Sequence, residues 1–210
     1  MASIAIIDYG MGNLHSVASA LEHVGAERVL VTHDAEVIRE ADRVVFPGVG
    51  AMRDCMAEIR RLKCDELLAD ALLEQHKPVL AICVGMQALM TNSEENNGVD
   101  CLNLIPGQVR YFGNPLTDAG GSRLKVPHMG WNAIRTRAAD PLTTGLDEKW
   151  FYFVHSYAAP IGDWTLATSH HGSTFSAVVR RNNFSGAQFH PERSAAAGAR
   201  LLRNFLEMPA

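Results

Sequence analysis

The sequence has no apolar run long enough to cross a membrane and lacks, at its start, the basic and apolar segment typical of a signal peptide. A membrane-spanning helix needs about 20 consecutive apolar residues. The 4 cysteines are too few for a disulfide framework, and none of them forms a C-x-x-C pair. We therefore expect a cytoplasmic protein whose cysteines are free thiols.

A strong excess of one charge is also missing. The net charge is −4, without the basic stripe that binds nucleic acid, so we expect neither a nucleic-acid nor a membrane partner. His155, His170 and His171 lack the spacing or the cysteine pairing of a metal site, so we expect no metal. What the 210 residues do contain is 47% hydrophobic residues, enough for one full core. We expect a single domain over residues 1–210.

The first half of the sequence alternates strand-like and helix-like segments. Apolar runs at 3–8, 29–32, 43–46 and 79–82 predict strands, and segments 14–24, 35–40 and 51–75 predict helices, the last broken near Lys63. After Cys101, short segments at 108–112, 131–136, 150–156, 165–168, 175–181 and 187–190 predict strands, followed by a helix at 195–207. These patterns predict an α/β fold with a largely parallel central sheet flanked by helices and additional antiparallel strands in the C-terminal half.

Cys83 lies between the apolar run 79–82 and a helical stretch opened by Gly85. A strand, a sharp turn and a helix in this order form a nucleophile elbow, where the turn holds a reactive side chain clear of the sheet. The helix N-terminus then faces any negative charge that develops beside the side chain. The alternative is an ordinary buried cysteine at a strand end, which is the commoner situation for a free thiol. Other groups are needed to decide between these interpretations.

The segment FHPE at 189–192 contains a candidate base and a candidate acid. Residues two apart on an extended backbone point to the same side, so His190 and Glu192 are predicted to face one site. His190 would accept the proton of the Cys83 thiol, and Glu192 would orient the imidazole and stabilise its charged form. The H-x-E pattern also occurs in zinc deaminases, but the P-C-x-x-C ligand pair that they require is absent.

Two glycine-containing turns follow predicted strands. The PGVG segment at 47–50 is expected on the same rim of the sheet as Cys83, where its backbone N–H groups could approach a bound oxygen as in an oxyanion hole. A plain turn is the alternative, and the nearby cysteine disfavours it. The G-x-G motif at 10–12 and Asp34 partly match a dinucleotide fingerprint, but His15 replaces its third glycine. We therefore expect no cofactor.

Together, Cys83 in its predicted elbow, the 47–50 loop and the segment 190–192 resemble the class I, triad-type glutamine amidotransferases over essentially the whole chain. Further segments resemble the glutaminase subunits of imidazole glycerol phosphate synthases, from histidine biosynthesis. These are DYGMGNL at 8–14, PGVG at 47–50, GMQ at 85–87, PHMGWN at 127–132 and FVHSY at 153–157. The resemblance implies a flavodoxin-like fold. Ala81 departs from the family, which usually has glycine two residues before the nucleophile.

The resemblance implies that Cys83 attacks the side-chain amide of glutamine, releases ammonia and leaves a γ-glutamyl thioester that water hydrolyses to glutamate. His190 and Glu192 complete the implied catalytic triad. The implied oxyanion hole consists of backbone N–H groups of Val84 and of the peptide between Val49 and Gly50. The implied glutamine-binding residues are Gly50, Gln87, Glu95, Ser156 and Tyr157.

The resemblance also implies a partner, a separate cyclase subunit that is a (β/α)₈ barrel. In the implied heterodimer the cyclase receives the ammonia and makes imidazole glycerol phosphate and an aminoimidazole carboxamide ribonucleotide. The implied docking residues are Asn13, Pro127, His128, Met129, Trp131, Tyr152, His155 and Arg193. Three alternatives stay open: a glutaminase of another synthase, a Cys–His–Glu hydrolase that acts on a different substrate, and a binding subunit without activity.

Overall fold

The computed structural model describes residues 3–69 and 76–209. The predicted alternation of the first half is confirmed, with the elements β1 (Ser3–Ile7), α1 (Leu14–His23), β2 (Arg28–Thr32), α2 (Ala35–Glu40), β3 (Arg43–Gly48), α3 (Met52–Arg61), α4 (Cys64–Ala69), β4 (Val79–Cys83) and α5 (Val84–Ala88). The predicted break near Lys63 is also confirmed, because this residue has a φ of 55° between α3 and α4. The remainder of the predicted 51–75 helix, residues 70–75, lies outside the described residues.

The second half consists mainly of short strands. They are β5 (Asn92–Ser93), β6 (Val99–Asp100), β7 (Gln108–Tyr111), β8 (Leu116–Thr117), β9 (Arg123–Leu124), β10 (His128–Ala133), β11 (Arg135–Thr136), β12 (Trp150–His155), β13 (Tyr157–Ala158), β14 (Thr165–His171), β15 (Ser173–Arg181) and β16 (Phe184–Ala187), followed by helix α6 (Ala195–Glu207). The predicted strand at 131–136 is in fact two strands, β10 and β11. The predicted strand at 187–190 is wrong, since β16 ends at Ala187 and Pro191 opens a 3₁₀ turn, Pro191–Arg193. Proline lacks the N–H that would continue a ladder.

The central sheet has eight strands in the order β11-β14-β15-β16-β4-β3-β1-β2. The strands from β16 to β2 are parallel, and β15, β14 and β11 extend the sheet with antiparallel pairing. This arrangement confirms the predicted fold class. Every residue of β3 and of β4 is buried, as expected for parallel strands covered on both faces.

The two faces of the sheet form two apolar cores, because successive strand side chains point to opposite sides. Ile4 and Ile6 of β1 join the core that contains residues of α1 and α6. Ala5 and Ile7 join the other core, which contains residues of α3 and α4. Among the described residues, no helix combines the length and the hydrophobicity that a membrane span requires.

The carboxyl ends of β3 and β4 lie side by side, with Gly48 opposite Cys83. Strands β10 and β12 form a separate antiparallel ribbon, in which His128 lies opposite His155 and Trp131 lies opposite Tyr152. This ribbon approaches the rim of the central sheet, because the carbonyl oxygen of Val154 lies 3.9 Å from the Cys83 sulfur. The fold therefore brings the 47–50 loop, Cys83 and the ribbon to one place.

Candidate active site

Cys83 lies on the sharp turn between β4 and α5, with φ 55° and ψ −114°. Positive φ is uncommon for a residue with a side chain, and such strain concentrates at functional sites. Glycine at 85 permits this turn, because a Cβ atom there would lie 2.2 Å from the Phe46 carbonyl oxygen. Ala81 is fully buried opposite Gly186 of β16, so the elbow forms with alanine at this position.

His190 and Glu192 form a buried pair in which His190 Nδ1 lies 2.8 Å from Glu192 Oε1. The predicted proximity of the two side chains is present, but the 3₁₀ turn at Pro191 produces it instead of an extended strand. The backbone of this turn is fixed to the ribbon, since the His190 N–H donates to the Tyr152 carbonyl at 2.9 Å. The pair therefore has a defined orientation.

The charges around His190 favour its imidazolium form. Burial lowers the pKa of His190, but the Cys83 sulfur and the Glu192 carboxylate outweigh burial and raise that pKa to about 10. His190 Nε2 is buried and makes no regular hydrogen bond within residues 3–69 and 76–209. This nitrogen is therefore available for proton transfer in the cavity that His190 and Cys83 share.

That cavity has a volume of about 310 Å³ and opens at the rim of the sheet. It contains every residue that the sequence predicts for catalysis, the oxyanion hole and glutamine binding, except Glu192, which lies behind His190. The lining residues are Val49, Gly50, Cys83, Val84, Gln87, Glu95, Pro127, Val154, His155, Ser156, Tyr157 and His190.

Two buried donors that sequence reasoning missed hold the 47–50 loop. The Tyr9 hydroxyl donates to the Pro47 carbonyl at 2.8 Å, and the Cys55 thiol donates to the Val49 carbonyl at 3.2 Å. Burial raises the pKa of Cys55 to about 11 and that of Tyr9 well above its ordinary value, so both groups keep their protons. A trans peptide bond places its N–H opposite its carbonyl, so the Gly50 N–H points away from Cys55.

Gln87 and Glu95 each keep one oxygen without a protein donor in the described hydrogen-bond network. The Gln87 side-chain nitrogen donates to the Tyr157 carbonyl at 2.8 Å and to Gln188 Oε1 at 3.0 Å, so Gln87 Oε1 is the oxygen that remains able to accept from a ligand. Glu95 Oε2 accepts from the Met52 N–H at 3.1 Å, which leaves Glu95 Oε1. Burial raises the pKa of Glu95, and the bond from Met52 opposes that shift. The cavity therefore offers acceptors to a positively charged group.

Most of the predicted docking residues lie at the surface. Met129 is 63% exposed and Trp131 47% exposed, and the Arg193 guanidinium lies 4.7 Å from the centre of the Tyr152 ring. Asn13 is exposed at the start of α1, and Pro127 lines the cavity.

His128 and His155 differ from the prediction, because both are buried behind this face. Strand alternation is the reason: in β12, Phe151, Phe153 and His155 point inward while Tyr152 points outward. His128 lies opposite His155 and points inward with it. Neither imidazole forms part of the exposed face.

Comparison with known proteins places this geometry in a family. The family model described as glutamine amidotransferase class-I matches residues 5–208. The imidazole glycerol phosphate synthase subunit HisH 1 of Pseudomonas aeruginosa is 57% identical, and the alignment covers 98% of this chain and 97% of that protein. The corresponding HisH subunit of Methylococcus capsulatus is 53% identical, with coverages of 98% and 96%.

Solved structures show the same fold at low sequence identity. The structure of PurLQS from Thermotoga maritima matches with a TM-score of 0.70 and 20% identity, covering 98% of each chain. A crystal structure titled glutamine amidotransferase matches with a TM-score of 0.72 and 17% identity, covering 97% of each chain. These two matches concern the fold alone.

Proposed function

This chain belongs to the class I glutamine amidotransferase family, and from that premise we propose that it is the glutaminase subunit of an imidazole glycerol phosphate synthase in histidine biosynthesis. The observation that carries the proposal is the meeting of Cys83, the His190–Glu192 pair and the 47–50 loop around one cavity. The relatives that are more than half identical over nearly the whole chain bear the name of that subunit.

The cavity supports a covalent hydrolysis of glutamine. The Cys83 thiolate attacks the side-chain carbonyl carbon, and the imidazolium of His190 gives its proton to the departing amine, which leaves as ammonia. A γ-glutamyl thioester remains on the sulfur. His190, now neutral, takes a proton from a water molecule that attacks the thioester, and glutamate leaves. Glu192 keeps Nδ1 of the imidazole protonated throughout, so that Nε2 faces the reaction.

The oxyanion of each tetrahedral intermediate would be stabilised by backbone N–H groups. We assign this role to Val84, which directly follows the nucleophile, and to the peptide between Val49 and Gly50. Loss of one such donor costs about 10² to 10³ in kcat in other enzymes. Tyr9 and Cys55 act through the loop, since they hold its carbonyl groups and thereby set the direction of its N–H groups.

Glutamine would bind with its α-ammonium group toward Glu95 and Gln87. Each presents an oxygen without a protein donor, and a carboxylate gives the stronger, charge-assisted bond. Backbone groups of Gly50, Ser156 and Tyr157 line the same cavity and would hold the rest of the substrate. No cofactor takes part in these steps.

The partner would be the cyclase subunit, a separate (β/α)₈ barrel that forms a heterodimer with this chain in the cytoplasm. It would use the ammonia to make imidazole glycerol phosphate and aminoimidazole carboxamide ribonucleotide. The exposed side chains of Met129 and Trp131, together with Tyr152 beside Trp131 and Arg193 over Tyr152, provide the aromatic and arginine anchors typical of protein interfaces. Asn13 and Pro127 would extend this face, while His128 and His155 would support it from behind.

Glutamate release by the purified chain tests the proposal. We expect weak activity from the chain alone, strong stimulation by the cyclase with its nucleotide ligand, and none from Cys83→Ala. Cys101→Ala, which removes a thiol that does not line the cavity, serves as the matched control and should keep the wild-type rate. Full activity without the cyclase would contradict the subunit assignment, and turnover by Cys83→Ala would contradict the mechanism.

A further inference from the structure

A series of buried and partly buried hydrogen bonds runs from the Cys83 sulfur to strand β10. Its first member is Gln188, a fully buried residue directly after β16, whose side-chain nitrogen lies 4.0 Å from the sulfur. Gln188 Oε1 lies 3.0 Å from the Gln87 side-chain nitrogen. The series continues through the Tyr157 carbonyl, His155, His128 and Asn132, with separations of 2.8, 2.8, 3.0 and 3.2 Å.

The direction of these bonds follows from one group that can only accept. The Tyr157 carbonyl has no proton, so the groups facing it, the Gln87 amide nitrogen and His155 Nδ1, must both donate. Gln87 then turns its second amide hydrogen to Gln188, which must present its oxygen. The opposite end of the Gln188 amide, the NH₂ group, is thereby fixed toward Cys83. A flipped Gln188 would place an oxygen against the sulfur and two donors against each other.

The structure assigns Gln188 as a further catalytic residue, whose side-chain N–H donates to the Cys83 sulfur and stabilises the thiolate. A thiolate has no proton and only accepts, and a bond to a charged acceptor is about twice as strong as a neutral one. Gln87 acts as the positioning residue, since it selects the amide orientation. This inference rests on the proposed thiolate chemistry of Cys83 and not on the identity of the substrate.

Other titratable groups also surround the sulfur. His190, His155 and Glu95 share the cavity with it, and Tyr9 and Cys55 bind the 47–50 loop that lines the same cavity. Gln188 differs from all of them because it carries no charge and does not titrate. Its effect on the thiolate can therefore be separated from theirs by a substitution that changes no charge.

Alkylation of Cys83 by iodoacetamide, followed by mass spectrometry of its peptide, measures the thiolate directly. We expect Gln188→Met, which keeps the volume and removes the donor, to lower the alkylation rate about tenfold at about pH 7. At about pH 9.5 the rate should return to within about twofold of the wild type, because alkaline solution deprotonates a thiol whether or not a donor faces it. Ser176→Ala changes another fully buried polar side chain, whose hydroxyl bonds to Thr165 and Pro160 and not to Cys83, and it should match the wild type at both pH values.

A second variant distinguishes the loss of the hydrogen-bond donor from a general disturbance of the fold. Gln188→Glu has the shape of glutamine and places a carboxylate beside the sulfur, so it should lower the rate at about pH 7 further than Gln188→Met. Wild-type rates in both variants, or equal losses at both pH values, would overturn the inference. The reagent needs neither glutamine nor the cyclase, so a wild-type complex that releases no glutamate would refute the proposed function while leaving this result interpretable.

Discussion

Replacement of Glu192 by glutamine should lower the glutaminase rate and should shift the alkaline decline in activity to a lower pH. Glu192 and His190 are both buried, and their 2.8 Å contact joins a carboxylate to an imidazole. Burial lowers the pKa of His190, whereas the Cys83 sulfur and the Glu192 carboxylate raise it to about 10. Glu192→Gln keeps the shape and removes one of the two raising charges, so the pKa of His190 falls.

The size of the effect follows from the bond that is weakened. A hydrogen bond to a charged group contributes about 1.5 to 3 kcal/mol, and about 1.4 kcal/mol corresponds to a factor of ten. We therefore expect kcat/KM at neutral pH to fall about 10- to 150-fold. The imidazolium exists below its pKa and is lost as the pH rises through it, so the alkaline decline in activity should begin at a lower pH in the variant.

The assay is kcat/KM for glutamine between about pH 6 and pH 10, measured on the complex with the cyclase. Glu58→Gln, which removes a carboxylate on the surface of α3, is the control and should keep the wild-type profile. An alkaline decline at the same pH in Glu192→Gln and the wild type would refute the role assigned to this carboxylate.

Three further substitutions test the elbow, the loop and the docking face. Gly85→Ala should lower the free energy of unfolding in urea by about 2 to 3 kcal/mol, because the new methyl group would lie 2.2 Å from the Phe46 carbonyl oxygen. Tyr9→Phe should lower stability by about 1 to 2 kcal/mol and reduce kcat more than it raises KM, since the Pro47 carbonyl loses its donor. Trp131→Ala should weaken cyclase binding in calorimetry by at least about tenfold without changing the stability of the free chain.

Matched positions serve as controls for these substitutions. Gly120→Ala adds a methyl group 3.4 Å from its nearest neighbour and should leave stability nearly unchanged. Ile161→Ala removes an exposed apolar side chain outside the predicted docking face and should leave cyclase affinity unchanged. Equal losses of stability in Gly85→Ala and Gly120→Ala would contradict the steric explanation. Equal losses of cyclase affinity in Trp131→Ala and Ile161→Ala would contradict the predicted docking face. An unchanged kcat in Tyr9→Phe would show that the Tyr9 hydroxyl does not set the orientation of the 47–50 loop.

The sequence predicted best where the signal was local. The apolar run before Cys83 and the glycine after it define the elbow within a few residues, and the break near Lys63 was visible in the helical pattern. The strand predicted at 187–190 failed because the residue pairing of β16 ends at Ala187 and Pro191, which lacks an N–H, opens a 3₁₀ turn. Residue alternation in β12 could have shown that His155 lies on the buried side with Phe153.

The polar contacts of the site could not be predicted in the same way. Gln188 and Cys83 are 105 positions apart, and only the pairing of β16 with β4 brings them together. Tyr9 reaches the 47–50 loop from the segment after β1 and Cys55 from α3, and their residue types are equally compatible with ordinary burial. Such contacts between distant residues depend on the tertiary structure, and neither hydrophobic periodicity nor motif spacing predicts them.

The most direct test of the central claim is to find the covalent intermediate. The complex with the cyclase is mixed with glutamine, quenched in acid and digested, and the peptides are examined by mass spectrometry. The mechanism predicts a γ-glutamyl adduct on Cys83 and none on Cys55, Cys64 or Cys101. Continued glutamate release with no adduct on Cys83, or an adduct on another cysteine, would contradict it.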